Sequence, residues 1–126
     1  MSENKVSFNK CVALILDTLY QSFPIEIDIK CSDFSEFDTE EKSKIFFSTI
    51  RFLKRENFII FSNSVYGGFI GVVLTTKGLG LLQAVPKSLK EPFSSQIKKA
   101  VKDGSNQLIS EVIKQFISYS MEYIKA

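Results

Sequence analysis

Apolar and polar positions alternate along this chain in more than one rhythm, and each rhythm marks an element. Between residues 5 and 22, Phe8, Val12, Ile15, Leu16, Leu19 and Tyr20 recur at helical spacing, which predicts a first helix. Pro24 stops it, because proline disfavours helical geometry in the residue before it. Ile25-Glu26-Ile27-Asp28-Ile29-Lys30 then alternates strictly between apolar and charged. That is a strand with one buried face, at a sheet edge with its charges outward. The segment from Asp33 to Glu41 holds five acidic residues and no basic one, together with Phe34 and Phe37, and fits a helix poorly.

Helical spacing returns over 39–57, with Ile45, Phe46, Thr49, Ile50 and Leu53 as the buried side. Asp38 stands where a cap is needed, and Glu41 three residues later completes a capping box. Two short apolar runs follow, Phe58-Ile59-Ile60-Phe61 and Phe69-Ile70-Gly71-Val72-Val73-Leu74, with Ser62 to Gly68 as the loop of a predicted β-hairpin. Thr75 caps a short helix that carries Leu79 and Leu82 inward, and Pro86 and Pro92 bracket a turn. From Ser94 onward, Ile97, Val101, Leu108, Val112, Ile113, Phe116, Ile117, Met121 and Ile124 keep one helical phase. Gly104 costs a helix about 1 kcal/mol relative to Ala, so one long helix and two closely aligned helices both fit.

Helix, hairpin, helix in this order resembles the second half of a winged helix-turn-helix domain. The resemblance covers roughly residues 5 to 86. It rests on the helix end Lys54-Arg55-Glu56-Asn57-Phe58-Ile59 and on the step Leu74-Thr75-Thr76-Lys77-Gly78 that leads out of the hairpin. It implies an α+β fold, with a winged-helix core over 1–86 and a C-terminal helical extension over 87–126 that packs on the core, dimerises, or does both. It also implies a role in holding one helix against DNA, and sometimes against protein. Extra terminal helices of such proteins often make a dimer, so self-association is implied as well.

Composition narrows the chemistry. The chain has 126 residues, enough for one domain with its own core, and its 44% apolar and 24% charged residues are those of a soluble globular protein. The net charge of +2 is mildly basic and does not announce nucleic-acid binding by itself. Histidine is absent, which excludes His-based acid/base catalysis, His-dependent nucleophiles and His-ligated metals. Cys11 and Cys31 form no CxxC pair, and a reducing, cytoplasmic setting is the simplest expectation. No apolar run is long enough to span a bilayer. No phosphate-binding glycine loop is present, and Asp33 and Glu36 read as a surface acidic loop before they read as a cation site. The expectation is therefore a protein that is not an enzyme and takes no cofactor, metal or evident small molecule.

One polar stripe stands out. Lys44, Ser48, Arg51 and Arg55 are spaced by four, three and four residues, so they share a helix face distinct from the buried one. Under the resemblance this is the recognition helix, and the stripe meets phosphates and base edges of double-stranded DNA, with Asn63 and Tyr66 at the wing. A plainer reading is available: acidic residues at a helix start and basic ones at its end are what the helix dipole favours. Two features oppose DNA. Acidic residues gather at the start of this helix, and Ser62 to Gly68 carries no Lys or Arg. A second basic cluster, Lys87, Lys90, Lys98, Lys99 and Lys102, is the solvated face of a surface helix or an extension of the footprint. The long C-terminal stripe predicts a homodimer with Val112, Phe116 and Met121 across the interface. Two functions follow as expectations: a DNA-binding homodimeric transcriptional regulator, or an interaction module that binds protein through the acidic 33–41 segment or a Phe47/Phe52 surface.

Overall fold

The computed structural model describes residues 3–86 and 90–125, with residues 123–125 given by backbone alone. In chain order the elements are α1 (Glu3–Ser22), β1 (Ile27–Lys30), two 3₁₀ turns (Cys31–Asp33 and Ser35–Phe37), α2 (Glu40–Arg55), β2 (Ile59–Ile60), β3 (Asn63–Val65), β4 (Gly68–Leu74), α3 (Thr76–Gln83), α4 (Phe93–Asp103) and α5 (Asn106–Lys125). The fold is α+β, with a small antiparallel sheet centred on β4. No helix among the described residues is long and apolar enough to cross a membrane.

The sheet is one hairpin plus one edge strand. β2 and β3 are consecutive pieces of a single arm, pairing Ile59 with Leu74, Ile60 with Val73, and Asn63, Ser64 and Val65 with Ile70, Phe69 and Gly68. The register never slips, so only Tyr66 and Gly67 are left to turn the chain, with Gly67 at a φ of +82°. The expected seven-residue loop was too long. Ser62, Asn63 and Ser64 are polar because their side chains face water, not because the backbone leaves the ladder. β1 joins β4 on the other side, with Ile29 opposite Phe69 and Lys30 opposite Gly68. A bulge at Gly71, φ +70°, separates these pairs from Ile27–Val72, and the Asp28 carboxylate accepts the bulge's N–H at 3.2 Å.

α2 starts one residue later than expected. Thr39, not Asp38, is the cap, its hydroxyl accepting the Lys42 N–H at 3.2 Å. Lys42 therefore occupies the position a capping box reserves for Glu41. The acidic segment ahead of it is not a surface loop throughout. Phe34 and Phe37 fold onto Phe46 with ring centroids 6.1 and 6.2 Å away, and Asp33 accepts the Lys30 N–H at 2.9 Å. At its far end α2 closes with a Schellman motif: Phe58 N–H donates to Leu53 C=O at 2.9 Å and Asn57 N–H to Lys54 C=O at 3.0 Å. Asn57 takes the left-handed conformation at φ +67°, which asparagine tolerates better than most residues.

Gly104 does break the C-terminal helix. It takes φ +79° as a left-handed cap, and Ser105 restarts the next helix by accepting the Leu108 N–H at 3.2 Å. The two helices are folded back and not aligned end to end: Phe93 at the start of α4 lies 5.3 Å from Phe116 and 5.5 Å from Tyr119 late in α5. The common phase is lost with the alignment. Ile109, Val112, Ile113 and Phe116 are buried, whereas Leu108 turns outward. Both helices pack on α1, and their buried residues join those of α1, α2 and the sheet in one cluster. The side chain of Ile124, part of the expected stripe, lies outside the described residues.

That packing corrects the dimer expectation for two of its three residues. Phe116 has no exposed surface within a single chain, wedged between Phe93 and Phe58, whose ring is 5.6 Å away, and Val112 is buried beside it. α1 and α4 cover the stripe that seemed too long for the core to cover. Met121 alone of the three is exposed.

Candidate nucleic-acid interface

α2 is a wedge with four distinct sides. Phe46, Thr49, Ile50 and Leu53 enter the core. Phe47 turns to the sheet, where it meets Phe69 at 5.8 Å, and Lys54 lies on the same side, its ammonium 4.6 Å above the Phe61 ring. Phe52 turns to α1 and meets Phe8 edge-on at 5.2 Å. Both phenylalanines proposed as an interaction surface are thus half-buried against their own chain. The remaining side, opposite the core, carries Lys44, Ser48, Arg51 and Arg55, all exposed. Helical spacing and core placement together leave this stripe nowhere else to go.

Among the described residues the ion pair present is Lys99–Glu91 at 2.7 Å, so Lys44, Arg51 and Arg55 form no direct salt bridge there. Glu40 and Glu41 sit in the first turn, where the helix dipole favours them, and both are exposed. Positive charge grows toward the C-terminal end of α2. There Arg55 also leans over the Phe52 ring, 5.8 Å from its centroid.

The hairpin tip places the other two candidates. Tyr66 is fully exposed at the turn. Asn63 is exposed, with its side-chain oxygen engaged locally by the Ser64 N–H at 2.9 Å, which leaves its amide donors free. Sequence reading missed Lys30. It pairs with Gly68 across the sheet, so β1 supplies the tip region with the cation that Ser62 to Gly68 lacks. The strict alternation of 25–30 marked Lys30 as outward-facing, but its neighbour depends on a pairing with Gly68, far along the chain, which no local signal encodes. Ile60, Val65 and Ile70 on the hairpin are also exposed.

A tight junction fixes the end of α2 against the start of α3. Thr75 donates its hydroxyl to Asn57 C=O and accepts the Gly78 N–H at 3.0 Å, which makes it the expected cap of α3. Lys77 donates to Glu56 C=O at 2.9 Å and stands over the Phe58 ring at 5.0 Å. Lys77 is thereby committed to structure. In the second basic cluster Lys90, Lys98 and Lys102 are exposed, Lys99 is paired, and Lys87 lies outside the described residues.

Both cysteines are free thiols, Cys11 buried and Cys31 half-buried. Burial pushes the Cys11 thiol up to about 12, with a Thr49 hydrogen bond offsetting part of the rise, and burial also raises Cys31. Cys31 donates to Phe37 C=O at 3.3 Å, helping to hold the 3₁₀ turns. Among the described residues no three His, Cys, Asp or Glu side chains gather as a metal would require. No family model, curated protein or solved structure matches this chain.

Proposed function

We propose that this chain is a winged-helix DNA-binding protein acting as a transcriptional regulator, with α2 as its recognition helix and the β3–β4 hairpin as its wing. The observation that supports it is the stripe itself. Lys44, Ser48, Arg51 and Arg55 are exposed on one face, opposite the core, with their cations unpaired among the described residues. Three cations and a hydroxyl in line suit a row of phosphates and the base edges between them. Lys30, Asn63 and Tyr66 offer donors for the backbone beside that groove. Because Val112 and Phe116 are spent inside the protomer, the proposal does not rest on a dimer.

Fluorescence anisotropy with labelled random duplex DNA at two salt concentrations tests this. Replacing Arg51 and Arg55 with Ala should weaken binding to all sequences and reduce the salt slope by about 1.8, at about 0.9 per lost phosphate contact. No detectable binding by the native protein at low salt would remove the DNA proposal. A second reading, a protein-binding module, is favoured by one observation: Ile60, Val65, Tyr66 and Ile70 leave the hairpin apolar and exposed.

A further inference from the structure

A cleft of about 340 Å³ opens between the first turns of α1 and the outer flank of α2. Phe8, Ile45 and Phe52 form its apolar floor, with the buried Thr49 among them, and the exposed Lys5, Ser48 and Arg55 stand around it. No carboxylate lines it. Glu3 and Glu41 line an adjoining recess, which shares Asn4 and Ile45 with the cleft and also holds Lys42. We propose that this cleft binds a small free aromatic carboxylate, its ring on the phenylalanine floor and its charge on Arg55 and Lys5.

The chemistry of the walls selects that class. Phe8 and Phe52 are half-buried and meet edge to face at 5.2 Å, which leaves ring surface toward the cleft. A phosphodiester would waste this surface, because it has nothing apolar to place there. A neutral hydrocarbon would leave two cations unused beside it. An arylcarboxylate uses both: its ring covers the floor, and the Arg55 guanidinium, held over Phe52 at 5.8 Å, presents a planar fork to a planar anion. The volume is at the small end of ligand pockets, suited to one fused ring system and not to a peptide. Ser48 and Arg55 belong to both the cleft and the exposed stripe. Occupancy therefore withdraws two of the four stripe residues from DNA, a consequence that rests on the function proposed above. Ligand binding itself does not depend on it.

The test is a titration of ¹⁵N-labelled native protein with 1-naphthoate, with 1-naphthamide as the neutral control. Amide shifts should cluster in residues 4–8 and 45–55, and the amide analogue should bind more weakly. Arg55→Gln and Lys5→Gln, each checked for an unchanged fold by its own spectrum, should weaken naphthoate about tenfold by loss of one charge-assisted contact. Absence of shifts at millimolar naphthoate, shifts scattered elsewhere, or equal affinity for the amide would overturn the assignment. A parallel anisotropy titration reads DNA release by naphthoate. If the native protein binds no DNA, the spectra still decide the cleft, so the two failures remain distinct. Naphthoate bound in the cleft without DNA release would overturn only the competition.

Discussion

Truncating Phe116 to Ala probes the most consequential packing decision in this fold. The side chain has no exposure and sits between Phe58 and Phe93, with ring centroids 5.6 and 5.3 Å away. Phe→Ala at such a site costs about 3–5 kcal/mol, from lost transfer energy and from the cavity left behind. A domain of this kind has about 5–15 kcal/mol in total, so the loss is about a fifth of the stability or more. The melting temperature should fall by about 10–25 °C. Met121→Ala is the control: at 57% exposure it should stay within about 0.5 kcal/mol of the native protein. Urea unfolding followed by circular dichroism measures both, and light scattering should give a native mass near 14.3 kDa. The reasoning fails if Phe116→Ala costs less than about 1 kcal/mol, well short of the range for a buried aromatic. It also fails if Phe116→Ala removes a concentration dependence of the midpoint that Met121→Ala leaves intact, because Phe116 would then be serving an interface.

Two further outcomes follow from local geometry. A Cβ at Gly78 would collide with the Phe58 carbonyl oxygen, which is backbone and cannot swing aside, so Gly78→Ala should cost about 1–3 kcal/mol in the same urea assay; a neutral result would mean that the α2–α3 junction is looser than its hydrogen bonds indicate. Cys11 should resist a thiol reagent at pH 8 while Cys31 reacts, and because burial raises the Cys11 value, its contribution to stability is fully present below pH 9 and lost as pH climbs toward about 12. Rapid reaction of both thiols in the native state at pH 8 would refute the burial of Cys11.

Local rhythm carried the elements, and non-local pairing carried what was missed. The 39–57 helix was legible because its apolar side and its basic stripe are both written at helical spacing, and the hairpin because Phe58 to Phe61 and Phe69 to Leu74 are short, β-branched or aromatic runs. The cap was misplaced by one residue because Asp38 and Thr39 are both capable acceptors, and sequence does not say which lies at the helix axis. The C-terminal stripe announced a buried face without saying what buries it. Periodicity is the same whether Phe116 meets Phe93 of its own chain or a residue of another copy, and only the reversal at Gly104 decides between them. Lys30 at the hairpin tip, and the cleft shared by Phe8 and Phe52, arise from contacts between segments far apart in sequence.

The last helix covering the first has a consequence in time. α1 ends at Ser22, and the residues of α5 that pack on it begin past Asn106. At about 5–20 residues per second, a ribosome needs about 4–17 s to make the stretch between them. Through that interval α1, which buries Val12, Ile15, Leu16 and Leu19 in the finished fold, exists without the cover that α5 supplies. The nascent chain therefore carries a partly uncovered apolar helix until α5 emerges to cover it.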